Sequence, residues 1–99
     1  MGQRVVVHET AVVDDAVIIA TDRSFTGMEG VAYEAAPEPG PDFVDVLAER
    51  IFSSDELVRH VYVSMNTIVT VRDGGWDEEG VARIAGIVEE LYLFYPDAE

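Results

Sequence analysis

The chain has 99 residues, a length that suits one domain able to bury a hydrophobic core without disulfide bonds or metal ions. It carries 20 acidic residues against six arginines and no lysine, which gives a formal charge of −14. Phosphate backbones and anionic lipids are repelled by such a surface, so the composition argues against nucleic acid and membranes as partners. The absence of cysteine excludes disulfides, thiolate metal ligands and a cysteine nucleophile.

The N-terminal part of the chain predicts short strands. Residues 4–8 (RVVVH) and residues 16–20 (AVIIA) are rich in β-branched side chains, and residues 30–33 (GVAY) fit a short edge strand. The first apolar run is too short for a signal peptide, and no stretch approaches about 18 uninterrupted apolar residues. We therefore expect a cytoplasmic protein. Residues 35–41 hold three of the four prolines and predict a loop.

An amphipathic helix is predicted after this loop. Pro41 suits its first turn, and the helix is expected to end near residues 53–54. Its apolar positions recur at helical spacing, with acidic residues and Arg50 on the other side. They are Phe43, Val44, Leu47, Ala48 and Ile51.

Period-two alternation on both sides of Met65 and Asn66 predicts a β-hairpin over residues 58–72, with one face on the core. Asn66 suits a turn position with positive φ. A second helix is expected after Asp77, whose carboxylate can cap it, and Pro96 is expected to stop it.

The hairpin region also carries a family pattern. Residues 47–52 (LAERIF), Val61, the run 67–72 (TIVTVR) and Trp76 follow the order LAxxLF, V, a hairpin of the FITVT(K/R) type, and a tryptophan before the last helix. This order resembles the N-terminal domain of Nfu/NifU-type iron–sulfur scaffold proteins. Residues 22–25 (DRSF) are similar to the family's D-R-x-(F/L) step. Residues 10–15 (TAVVDD) match its first turn, with the threonine kept and the prolines lost.

The predicted fold is an α+β two-layer sandwich in ββαββα order, with a four-stranded mixed or antiparallel sheet and both helices on one face. The resemblance implies the same arrangement. It also implies a non-enzymatic module that works through protein contacts in iron–sulfur cluster assembly or delivery. Family scaffolds carry the cluster on a separate C-x-x-C domain, and that motif is absent from this sequence. We therefore expect a single standalone domain over residues 1–99, with no catalytic, cofactor-binding or metal-binding residue.

The sheet face that the helices leave open is the predicted docking surface for a protein partner, such as an iron–sulfur assembly factor or an apo-target. An exposed aromatic side chain flanked by arginines is typical of interface anchors. The expected contact residues are Arg59, Tyr62, Ser64, Thr70 and Arg72.

Two alternatives stay open at this stage. The first alternative, ranked after the iron–sulfur module, is a small acidic interaction domain with an unrelated partner. An enzyme would need His8 and His60 to converge with carboxylates in one pocket, although the two histidines belong to separate predicted strands. The serines lie outside any G-x-S-x-G context, which disfavours a hydrolase.

Overall fold

A computed structural model describes residues 5–22, 24–26, 30–38 and 43–91 of the chain. The elements in chain order are β1 (Val7–Val13), β2 (Ala16–Thr21), β3 (Val31–Tyr33), α1 (Phe43–Ser54), β4 (Val58–Ser64), β5 (Thr67–Arg72) and α2 (Glu78–Glu89). The five strands form one antiparallel sheet in the order β1-β2-β5-β4-β3. The α+β class is therefore confirmed, whereas the predicted four-stranded sheet and ββαββα order are wrong.

The fifth strand is β3, the short edge strand expected at residues 30–33, which the predicted four-stranded sheet did not count. It pairs with the outer edge of β4, so that Val31 lies opposite Val63 and Tyr33 opposite Val61. The Tyr33 hydroxyl donates to Asp45 Oδ1 of α1 at 2.6 Å and so joins this edge to the helix layer. Three residues are too few to show a hydrophobic period, and the free edge of β4 determines their conformation.

The first hairpin extends further than the sequence predicts. β1 runs to Val13, and the connection to β2 is the pair Asp14 and Asp15 alone. Asp14 adopts a positive φ of 54°, a conformation that aspartate tolerates better than most residues. The predicted turn over residues 10–15 is wrong for its first four positions, because Ala11, Val12 and Val13 favour a strand and only two residues are needed to close the hairpin.

The second hairpin is confirmed, with β4 and β5 joined by Met65 and Asn66. The residue with positive φ is Met65, at 55°, and not Asn66. Asn66 instead ties the turn to the end of β2. Its Nδ2 donates to the Thr21 carbonyl at 2.9 Å, and its own carbonyl accepts from the Thr21 amide at 2.9 Å.

Both helices pack on the same face of the sheet. α1 ends at Ser54 as expected, and Asp77 caps α2 by accepting from the Gly80 amide at 2.7 Å. The predicted start of the first helix at Pro41 and the predicted stop of the second helix at Pro96 lie outside the described residues. The core consists of aliphatic side chains from both helices and the inner sheet face: Val5, Val17, Ile19, Val46, Leu47, Ala48, Ile51, Val58, Val61, Val63, Ile68, Ile84, Val88 and Leu91.

Candidate functional site

The sheet surface opposite the helices is almost free of charge. Three cross-strand rows of side chains point to this side, because their neighbours along β2, β4 and β5 are buried under the helices and the β1 and β3 members pair with these rows. We call this surface the open sheet face. Its rows are Glu9, Ala20, Thr67 and Ser64; Ala11, Ile18, Val69, Tyr62 and Ala32; and Val13, Ala16, Val71 and His60. One acidic residue occurs among these thirteen, in a chain with 20 acidic residues among 99.

Two of the predicted contact residues lie on the open sheet face. Tyr62 is 38% exposed in the middle row, next to Val69 on β5 and Ala32 on β3. Ser64 is half-buried in the adjacent row. The Tyr62 ring extends over Gly30, where the Cβ of any larger residue would collide with the phenol. A glycine at position 30 thus leaves room for the aromatic ring beside the start of β3.

Arg59 lies at the end of this face, in an irregularity of the β4 ladder between Val58 and His60. Its Nε lies 2.7 Å from Asp73 Oδ1, and its Nη2 lies 3.9 Å from Asp15 Oδ2. The side chain stays 56% exposed. Two carboxylates therefore surround this guanidinium, and a partner would meet an ion cluster with a surplus of negative charge.

Thr70 does not belong to the open sheet face, and its prediction as a contact residue is wrong. It is fully buried on the helix side, opposite Val17 of β2 and Val61 of β4. Its hydroxyl oxygen has no hydrogen-bond partner among the residues that the structure describes. The hairpin register explains the error. A two-residue turn at positions 65–66 places Val63 opposite Ile68, so an inward Val63 requires an inward Ile68 and Thr70.

Arg72 also lies on the helix side, and its prediction as an outward contact is wrong for the same reason. Its Nε donates to Asp55 Oδ2 at 2.6 Å, and its Nη1 donates to the Gly75 carbonyl at 2.8 Å. The guanidinium carbon lies 5.8 Å from the centre of the Trp76 ring, within the range of a cation–π interaction. Arg72 is thus a structural residue that joins β5 to the loops on either side.

Asp55 is the centre of this structural cluster. Its carboxylate accepts from Arg72, from Arg83 Nη1 at 3.2 Å, and from the Leu57 amide at 2.9 Å, and its side chain is only 9% exposed. The hydrogen bond from Arg72 lowers the pKa of Asp55 below its usual range, and the Leu57 amide adds to the effect. The carboxylate connects the end of α1, the end of β5 and the first half of α2.

The predicted contact residues did not include the aliphatic side chains of the open sheet face, chiefly Ile18, Val69 and Val71. They are half-buried by their strand neighbours. The sequence of β2 does indicate such a surface, because residues 16–20 are apolar at both odd and even positions. A strand with apolar residues at every position presents an apolar surface on both sides of the sheet.

The two histidines do not converge. His8 lies on β1 and His60 on β4, with β2 and β5 between them, so their strands are about 14 Å apart at the usual interstrand spacing. Within the described residues, no group of three or more histidine, aspartate and glutamate side chains could hold a metal ion. Over the same ranges, no helix is both long and apolar enough to cross a membrane.

Comparison with protein-family models gives no match, and comparison with curated proteins gives none either. Among solved structures, the chain is similar to protein SAV1430 from Staphylococcus aureus, a structural genomics target. The TM-score is 0.57, the sequence identity is 16%, and the match covers 88% of this chain and 98% of that chain. At this identity, the likeness shows a shared fold alone.

Proposed function

We propose that this protein is a non-enzymatic interaction module that binds a protein partner through the open sheet face. The observation that carries the proposal is the near absence of charge on this face of a highly acidic chain. A solvated β-surface normally alternates apolar inward residues with polar outward ones. Here Ile18, Val69 and Val71 take outward positions on β2 and β5, two of the three inner strands. Contiguous exposed apolar surface of this kind marks interaction sites.

The partner is a protein with an apolar patch bordered by basic residues. Apolar contact at the middle rows would supply most of the favourable free energy, with Tyr62 as the aromatic anchor. The surrounding acidic surface would attract basic residues on the partner and accelerate association. A second copy of this chain is a poorer occupant, since each copy has a charge of −14 and the two would repel each other.

The resemblance of residues 47–76 to the Nfu-type domain favours a partner from iron–sulfur cluster assembly, either an assembly factor or an apo-target. In that role the cluster would be held by the partner, because this chain has no cysteine. The alternative is an unrelated partner that uses the same apolar face. The identity of the protein bound at this face decides between the two.

The experiment is affinity capture from an extract of the native cell, followed by measurement of the affinity of the recovered partner in purified form. Val69→Glu introduces a charge into the middle row, and Ala36→Glu adds the same charge on an exposed loop. The proposal predicts that the wild type and Ala36→Glu bind equally and that Val69→Glu loses binding. The melting midpoints of both variants must first lie within a few degrees of the wild-type midpoint. Equal binding by all three proteins would overturn the proposal.

A further inference from the structure

A second surface lies at the opposite edge of the sheet from β3. β1 is the outermost strand, and the described residues place no other strand beside its free edge. Val13 and Ala16 flank a two-residue turn and therefore form a hydrogen-bonded pair. By alternation, Ala11 directs its backbone groups to β2, while Thr10 and Val12 direct theirs to the free edge. Each of these two residues thus offers one amide and one carbonyl to an additional strand.

A groove of about 450 Å³ runs beside this edge on the helix side of the sheet. Thr10 and Val12 form its β1 wall, and Val12 is 48% exposed there. Trp76, Val81 and Ala85 form the facing apolar wall. The same two residues of β1 therefore supply both the free backbone groups and the apolar lining. An added strand would place alternate side chains in the groove.

The charge around the groove specifies the segment that would fill it. Asp77 and Glu78 line its end at the start of α2, and Asp14 and Asp15 follow β1 directly. β1 itself contains Glu9 and no lysine, arginine or proline. A basic strand is attracted to this edge, whereas a second acidic copy of the chain is repelled.

We propose that β1 accepts an extended, positively charged segment of a partner protein as a sixth strand. Its apolar side chains would lie in the groove against Trp76, and its lysine or arginine side chains would point to the opposite side of the sheet, where Glu9 is the acidic residue of β1. This site is independent of the open sheet face, because Val12 and Val13 point to opposite sides of the sheet. The two adjacent residues therefore provide a matched pair of variants.

The test uses a synthetic peptide of alternating valine and lysine, about ten residues long, titrated into the 99-residue chain. Trp76 is the sole tryptophan of the chain and lies in the groove, so its fluorescence reports binding directly. A peptide of the same composition with all valines before all lysines has the same charge but cannot alternate its side chains. A valine and glutamate peptide reverses the charge.

We expect saturable binding of the alternating valine and lysine peptide, and affinity weaker by at least about tenfold for both control peptides. Val12→Asp should lose binding by a similar factor, since it buries a charge in the groove. Val13→Asp, equal in charge and 54% exposed on the open sheet face, lies outside the groove and should not weaken binding. Thr10→Pro removes an outward amide and should also weaken binding, without breaking the β1–β2 ladder.

Three results would overturn the inference: equal affinity for the alternating and block peptides, wild-type affinity of Val12→Asp, or a parallel loss in Val13→Asp. Equal affinity for the alternating and block peptides would show that a polycation simply adsorbs to an acidic protein. Thermal melts of each variant separate loss of binding from loss of folding. Val69→Glu should retain peptide binding, so failure of this inference and failure of the proposed open-face function are distinguishable.

Discussion

Replacing Asp55 with alanine should destabilise the domain more than removal of any other acidic side chain in the described residues. The substitution deletes three hydrogen bonds and leaves Arg72, which is 25% exposed, beside an unpaired Leu57 amide. Hydrogen bonds to charged groups contribute about 1.5–3 kcal/mol each. The pair with Arg83 adds less than about 1 kcal/mol, because that guanidinium is 42% exposed.

The expected loss is about 3 kcal/mol of unfolding free energy, which corresponds to a melting midpoint lower by about 15 °C for a domain of this size. Thermal unfolding followed by circular dichroism measures the shift. Glu56→Ala, at the adjacent exposed position, is the matched control and should melt within about 2 °C of the wild type.

The loss of stability in Asp55→Ala should also depend on pH, and it should become smaller at acidic pH. The folded pKa of Asp55 lies below the unfolded value of about 3.9, so the carboxylate stabilises the protein fully above that value. Its contribution is lost as the pH falls through the lower, folded pKa. The difference in midpoint between wild type and Asp55→Ala should therefore be constant from pH 7 to about pH 5 and shrink below about pH 4. A shift below about 3 °C at pH 7, or a difference that persists undiminished at pH 2, would refute this reasoning.

Three further predictions concern the whole chain and its edge. Thermal midpoints should rise by several degrees between low and molar NaCl, because salt screens the repulsion among the acidic residues of a chain with a formal charge of −14. A flat or falling midpoint would contradict this prediction. Gly30→Ala should displace the Tyr62 ring, and a double-mutant cycle with Tyr62→Ala should show a coupling of about 0.5–1 kcal/mol, whereas additive effects would contradict the contact. Anaerobic reconstitution with iron and sulfide should give no cluster absorbance, and a stoichiometric cluster spectrum would count against the accessory role.

Local signals predicted the parts of this fold that local interactions determine. The hairpin of residues 58–72, the end of α1 and the Asp77 cap each depend on a few neighbouring residues. The short strand at residues 30–33 was expected, but its place in the sheet depends on pairing with β4, which follows α1. The extension of β1 to Val13 was not predicted, because its residues 9–13 have no hydrophobic period that fixes the end of the strand.

The candidate site was only partly predictable for a related reason. Tyr62 and Ser64 were placed correctly because β4 alternates clearly between apolar and polar residues. β5 has aliphatic residues at both odd and even positions, so its sequence alone does not reveal which side of the strand faces the core. The orientation of β5 follows from the hairpin register, because a two-residue turn pairs the inward Val63 with Ile68. The same register places Thr70 and Arg72 on the helix side of the sheet.

Methyl NMR of the protein titrated with its purified partner tests the role of the open sheet face most directly. The account predicts that binding shifts the methyl signals of Ile18, Val69 and Val71, while those of Ile84 and Val88 in the core stay unchanged. Shifts confined to helix-side methyl groups, with the signals of these three residues unaltered, would contradict it.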